Sequence, residues 1–433
     1  MQDLIDIVEM ILFALLLYIG WMQDMYLLTG KPTPALEKPK KKRNLKPKSP
    51  KDCPYCQSEH LGGCVYPEIG GVRPWQEVKS KRGRPKTYSS EGYACVNEAC
   101  DYYQITAETI HALRRDGTRN QCEAVTQWEC GACGKKHTAW LGTPQYRLKT
   151  CSHKVTLAIH LSMKGMNQAD ISEVLEHSEK TIQRWLDRGG RHSERLHEEK
   201  LTGLALTHIQ LDELFTRVRQ RGKRTWVWTA IDGQTRLLVA RAIGGRKHLS
   251  AHELMHQVVK RLADEMMPIF TSDGLNHYYY TLTTHFGQWT VVTGKWKPVW
   301  QVAQDLLYGQ FRKVKSGYRL KRVYTKILCG TRDQMESGLK GLGFTGKTQT
   351  AYVERLNLTL RHIIAALARR TMALAANRQP LRLRVALGAA YYNFCRPHQS
   401  LSNPSYRKRT PAMAAGITES PWTVRQFVLH PVY

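Results

Sequence analysis

The sequence predicts a multidomain α/β protein: a zinc ribbon and a helix-turn-helix, followed by a mixed-sheet domain. Three observations predict it. Short-spaced cysteine pairs crowd residues 53–151. Three runs with helical spacing follow, between 154 and 199. From 205 onward the apolar residues switch to period 2 and then alternate with helical stretches. The expected divisions are an apolar N-terminal helix at 1–30, a basic linker at 31–52, the ribbon region at 53–150, the helix-turn-helix at 151–200, the sheet domain at 201–380 and a basic tail at 381–433.

The chain has 433 residues and a formal net charge of +29, from 65 Lys and Arg against 36 Asp and Glu. The excess runs along the whole length, which points to a polyanionic partner, nucleic acid before an anionic membrane surface. The 11 cysteines, an odd number with CxxC pairs and no secretory leader pattern, predict reduced thiols, metal sites and a cytoplasmic, nucleoid-associated location. The apolar run Met10–Met22 is shorter than a spanning helix needs. Its acidic flank, Asp3, Asp6 and Glu9, has the wrong sign for a signal peptide, so it reads as a packing or oligomerisation helix. Residues 31–51 are rich in Pro and Lys and poor in core formers, as a flexible linker is.

Cys95-x4-Cys100 and Cys130-x2-Cys133 are two knuckles separated by a loop, the arrangement a tetrahedral thiolate site for zinc requires. Cys53-Pro-Tyr-Cys56 is a third knuckle, whose partners among Cys64, Cys122, Cys151, His60 and His137 stay open. Lys81-Arg-Gly-Arg-Pro-Lys86 resembles an AT-hook, in which Arg82 and Arg84 would reach into a narrow minor groove; a plain basic loop reads the same way.

In the helical region, Ile171, Val174 and Leu175 are expected inward, then Ile182, Trp185 and Leu186, with Ser178 as N-cap and Gly189-Gly190 ending the last helix. That helix would expose Lys180, Thr181, Gln183, Arg184 and Arg188 to DNA bases or phosphates. Next, ALTHIQLDELFTRVR, WVWTAI and RLLVARAI read as strands, the last two joined by a turn at Asp232-Gly233. Ser250 to Met267 reads as a helix and MPIFTSDG as a strand ending at Asp273. Residues 293–323 read as a basic, DNA-facing insertion broken by Gly and Trp, and RVYTKILCG as a strand. GKTQTAYVERLNLTLRHIIAALARRTMALA centres on a helix of about 20 residues, with Val353, Leu356, Leu360, Ile363, Ile364 and Leu367 as its apolar face. The tail from 390 reads as loop-rich.

Three acids stand on separate elements: Asp212 inside a strand, Asp273 at a strand end and Glu354 on a helix. Asp212's neighbour Glu213 should point to the opposite face. Carboxylates so placed suit two Mg ions and phosphoryl transfer. Arg361, two turns after Glu354, could hold a phosphate. LDELF, WVWTAID, GGR, TSDG and GKTQTAYVERLNLTLR with ARRT together resemble the DDE transposases of the insertion-sequence-one family, over roughly residues 93–400. The resemblance implies an RNase H-like fold and a metal-holding triad of Asp212, Asp273 and Glu354, with Arg361 as the accompanying basic residue. It also implies cutting at the ends of a mobile element, joining of 3′ ends to target double-stranded DNA, and a homo-oligomer on that DNA. His277, His285, Tyr278 and Asn357 are further candidates to assist. The competing readings are a non-catalytic zinc-dependent DNA-binding protein and a nuclease on the same fold. The extra Cys53/Cys56 knuckle and the Lys81–Lys86 segment depart from the family's compact ribbon.

Overall fold

The computed structural model of the protein describes residues 72–78 and 86–433, apart from 121, 221–222, 295, 318 and 404–406. The apolar N-terminal run, the basic linker, Cys53, Cys56, Arg82 and Arg84 lie outside the described residues. Among the described residues no helix is long and apolar enough to cross a membrane.

The chain first forms a small antiparallel sheet in the order β1-β2-β3, with β1 at Leu113–Asn120, β2 at Ala124–Cys130 and β3 at Lys136–Thr138. Trp128 and Leu113 bury beside Cys95, Cys100 and Tyr102, so this sheet has its own apolar centre. Six described cysteines are free thiols, and Cys122, in the β1–β2 turn, lies against Cys151 with their Cα atoms 5.5 Å apart.

Three helices follow: α1 Ser152–Ser162, α2 Gln168–Leu175 and α3 Glu179–Lys200. Asn167 caps α2 and Ser178 caps α3, each accepting a first-turn N–H with its side chain. Ile171, Leu175, Ile182, Trp185 and Leu186 are buried as their spacing predicts. Val174 is not: α2 is a short helix that buries only the 171/175 stripe, and Val174 is 58% exposed. Gly189-Gly190 does not end α3, which continues to Lys200. A Cβ on Gly190 would lie 2.6 Å from both the Cβ and the carbonyl oxygen of Leu383, so the glycine admits a neighbouring helix. That neighbour is α8, at Arg378–Ala390.

The main sheet is built from β4 His208–Arg217, β5 Arg224–Asp232, β6 Leu238–Gly244, β7 Ile269–Ser272, β10 Tyr308–Ser316 and β11 Arg319–Cys329, in the order β6-β5-β4-β7-β10-β11. β4, β5 and β6 form an antiparallel meander, β7 runs parallel to β4, β10 parallel to β7, and β11 returns antiparallel. The meander turn is held by Asp232, whose carboxylate accepts the N–H groups of Gln234 and Thr235. β8 Gly287–Thr290 and β9 Val299–Val302 form a separate pair. The region read as a basic insertion broken by Gly and Trp holds β9, β10 and the start of β11.

Helix α4 (His248–Arg261) joins β6 to β7, α5 (Asn276–His285) follows β7, and α6 (Arg332–Gly341) and α7 (Ala351–Ile363) follow β11. Helix α7 is shorter than its apolar repeat suggests. The backbone turns extended at Ile364 and a 3-10 turn, Ala365–Leu367, carries the last apolar residues into the core. The stretch read as a loop-rich tail is also ordered. A π-turn at Tyr391–Cys395 and a helix at Val424–Leu429 bury Phe394, Phe427 and Val428 in the cluster that includes α1–α3 and α7.

Candidate metal centres

The thiol site forms where the Cys130-Gly-Ala-Cys133 turn between β2 and β3 meets the Cys95–Cys100 loop. Gly134, at φ +74°, closes that turn in a conformation glycine adopts without strain. The Sγ atoms of Cys95 and Cys133 lie 3.6 Å apart, and those of Cys100 and Cys130 lie 3.9 Å apart. All four sulfurs fall within 4.8 Å of one another. A zinc tetrahedron with arms of about 2.3 Å has edges of about 3.8 Å, so the four thiols fit that ion and could hold it. Burial pushes the Cys100 thiol up to about 11. Burial acts the same way on Cys133, but the Lys135 amide and neighbouring side-chain hydrogen bonds outweigh it and bring that thiol to about 7.

The acidic site lies where β4 and β7 run side by side. Leu211 is in register with Ser272, so Asp212, midway along β4, comes next to Asp273, just past the end of β7. Asp273 accepts the Leu275 N–H at 3.0 Å, which fixes its carboxylate at the strand end. Oxygens of Asp212, Glu213 and Asp273 all lie within 4.8 Å of one another. Asp212 and Glu213 take partners from opposite faces of the sheet, as strand alternation requires. Asp212 accepts from Asn357 Nδ2 of α7 at 2.8 Å. Glu213 accepts from Tyr278 Oη of α5 and from Arg246 Nε, each at 2.9 Å. Glu213 nevertheless converges with the two aspartates, because Asp273 extends past the end of β7 and meets both.

Burial and the charges of Glu213, Asp273 and Glu354 raise the Asp212 carboxyl to about 7. Burial also raises Asp273, against the Leu275 N–H and the guanidiniums of Arg246 and Arg312. Glu213 is raised by burial and by Asp273, with Arg246 and Tyr278 opposing. Carboxyls that hold their protons this tightly form a site with surplus negative charge. They are hard oxygen donors, and a divalent ion such as Mg fits that donor set.

Glu354 stands in the first turn of α7, outside this group. Gln210 of β4 accepts the Tyr352 and Val353 N–H groups at 3.0 and 3.1 Å. This pins the start of α7 to the strand that carries Asp212, two residues further on. The Glu354 carboxylate is paired with Lys313 Nζ at 3.0 Å and accepts from Thr350 Oγ1 at 3.0 Å. Arg361 is not free for a phosphate in this structure. It donates to the carbonyls of Leu367 and Phe215 and so braces α7 against β4.

Of the residues expected to face DNA on α3, Lys180 and Arg184 are exposed, and Thr181 and Gln183 are half-buried. Arg188 is turned inward, donating to the carbonyls of Pro144 and Tyr146, so it ties α3 to the segment before α1. Of the assisting candidates, Asn357 and Tyr278 touch the carboxylates. His277 and His285 line the α4–α5 interface, where His277 meets His248 with ring centroids 4.0 Å apart and His285 lies beside His252.

Sequence reasoning misses Gln210, Arg246, Lys313 and the convergence of Glu213. Gln210 carried a usable signal, being a polar residue two positions before Asp212 and therefore on the same face of the strand. No protein-family model matches the chain, and no curated protein matches it in sequence.

Proposed function

We propose that this protein is a DDE-type DNA transposase that cuts at the ends of a mobile element and joins the 3′ ends to target DNA. One observation carries the reading: Asp212, midway along β4, lies beside Asp273 at the end of the adjacent parallel strand β7, and α7 is pinned there with Glu354 in its first turn. The order β6-β5-β4-β7-β10, with only β5 running against its neighbours β4 and β6 and the other pairs parallel, supports an RNase H-like assignment of the sheet. That step is an analogy of fold, and the site gives it chemical content. The four-thiol cluster supports a structural zinc ribbon, and α2–α3 with their short capped turn support a helix-turn-helix.

Two Mg ions bound at the carboxylates would activate the attacking water or 3′-hydroxyl and stabilise the leaving oxygen. Asp212 and Asp273 would hold them, with Glu354 completing the set once it leaves Lys313. Asn357 orients Asp212, Tyr278 and Arg246 orient Glu213, and Arg361 positions the helix. Lys180, Thr181, Gln183 and Arg184 would contact DNA from α3. Joining two element ends to one target calls for at least two copies of the chain on the DNA.

The Lys313–Glu354 ion pair favours a second reading, a zinc-dependent DNA-binding protein whose acids do no chemistry. Cleavage separates the two. DNA carrying the element's own ends is incubated with Mg and either wild type or Glu354→Gln. Free 3′-hydroxyls at the ends, lost in the variant, support the transposase, and added target DNA then separates joining from plain hydrolysis. Binding without cutting by the wild type removes the assigned roles of Asp212, Asp273 and Glu354.

A further inference from the structure

Strand β10 pairs with β7 only over Tyr308–Gln310. Beyond Gln310 its described pairing is with β11 alone, in register from Phe311↔Thr325 to Ser316↔Arg319. Six residues at about 3.4 Å each carry this two-stranded ribbon about 20 Å past the end of β7. Its direction is fixed. Because β10 runs parallel to β7 and β4, the ribbon starts level with the end of β7, where Asp273 stands beside Asp212 of β4, and runs on in the same direction. At its root, Arg312 bonds the carbonyl of Gly274, the residue after Asp273, and Lys313 on the other face bonds Glu354. The ribbon therefore rises directly beside the carboxylates.

Its composition is one-sided. Residues 312–326 contain seven Lys and Arg and no Asp or Glu. From Arg319 to Val323 every residue is exposed, including Leu320 at 54% and Val323 at 41%. Charge, lysine above all, also keeps an exposed edge from pairing with another copy, but edge protection calls for no exposed apolar side chains beside it. Seven cations without one anion, alongside exposed apolar side chains, match a phosphate-lined groove instead. A two-stranded ribbon has the width that the major groove of duplex DNA admits.

We propose that the β10–β11 ribbon is the duplex-binding element that seats DNA over the carboxylates. This deepens the transposase reading and rests on it for the identity of the polyanion. The test uses full-length, zinc-loaded protein without Mg, so that binding is read apart from cutting. The probes are a duplex of the element's end sequence and a shuffled duplex. Affinity is measured against salt for wild type and for the combined variant Arg319→Gln, Lys321→Gln, Arg322→Gln. Each lost phosphate contact lowers the slope of log affinity against log salt by about 0.9, so three lower it by about 2.7. Between about 50 and about 200 mM salt, the variant should lose about 40-fold less affinity than wild type. The charge-preserving set Arg319→Lys, Lys321→Arg, Arg322→Lys should keep the wild-type slope. Should the triple variant not fold, Lys321→Gln alone should lower the slope by about 0.9. An unchanged slope in a folded variant, with wild type still binding and cutting, overturns the ribbon's role and leaves the transposase reading intact. A wild type that binds no duplex overturns both.

Discussion

Replacing Asp212 with asparagine should stabilise the Mg-free protein at neutral pH while abolishing any cutting. Asp212 is half-buried beside Glu213, Asp273 and the charge of Glu354, and its carboxyl is raised from 3.8 to about 7. The sign follows from the direction of that shift. The folded chain holds the proton more tightly than the unfolded chain does. The protonated group's contribution is therefore complete below about pH 4, and it is lost as pH rises through about 7. A shift of about 3 units at about 1.4 kcal/mol each sets a ceiling of about 4 kcal/mol. Part of that comes from repulsion that relaxes when Glu213 or Asp273 takes a proton, which leaves about 2–4 kcal/mol for this site. Asparagine is nearly the same shape, and its Oδ1 can still accept from Asn357 Nδ2, so no buried donor is orphaned. Urea unfolding followed by tryptophan fluorescence, in zinc-replete and Mg-free buffer, reads the difference. Wild type should lose about 2–4 kcal/mol between about pH 4 and about pH 8 relative to Asp212→Asn. Mg should recover stability in wild type and leave the variant much less changed. Parallel pH profiles for the two proteins would show that Asp212 carries no such burden, and the argument for a charge-strained metal site would fail with it.

Two further outcomes test other parts of the structure. Cys133→Ser removes one of four sulfurs, and structural zinc supplies about 10–16 kcal/mol of binding free energy. The variant should therefore release its zinc at chelator concentrations that wild type withstands, and residues 86–147 should become protease-sensitive; equal zinc retention would dismiss the tetrathiolate site. Gly190→Ala gains about 1 kcal/mol of helix propensity. However, its Cβ would sit 2.6 Å from the Leu383 backbone and Cβ, so a net loss of about 1–2 kcal/mol is expected in urea unfolding. A stabilised variant would show that α3 and α8 can separate.

What was legible in the sequence was local. The period-2 runs gave β4, β5 and β6 because a half-buried strand must alternate, and Ser178 announced the start of α3 because its side chain satisfies a first-turn donor. The two cysteine knuckles were readable for the same reason: the turn that brings Cys130 and Cys133 together is encoded within it. Gly189-Gly190 misled because glycine looks alike at a helix end and at a close helix crossing, and Leu383 is far away in sequence. Ile364 shortened α7 through its backbone, which an apolar repeat does not reveal. Glu213 was hidden by strand alternation itself. Only the β4–β7 register, with Leu211 opposite Ser272, places Asp273 where both neighbours can reach it. Lys313 meets Glu354 across 41 residues, and no periodicity within either strand or helix foretells that pair.

The electrostatics give a reason for these acids that packing does not. A chain with a net charge of +29 has cations to spare for any polyanion, and carboxylates in its path weaken that attraction. Partial burial of Asp212 adds a second cost, since its charged form loses part of its hydration with Glu213 and Asp273 beside it. An asparagine at 212 would keep the hydrogen bond to Asn357 and avoid both costs, so neither stability nor simple DNA binding accounts for the aspartate. A divalent cation would turn both costs into gains, by offsetting the crowded charge and by bridging carboxylate to phosphate. The surrounding scaffold is built to keep the acids together despite their repulsion. Gln210 fixes α7, Tyr278 and Arg246 fix Glu213, and the Leu275 N–H fixes Asp273. Carboxylates kept in fixed positions in this way could hold a divalent cation.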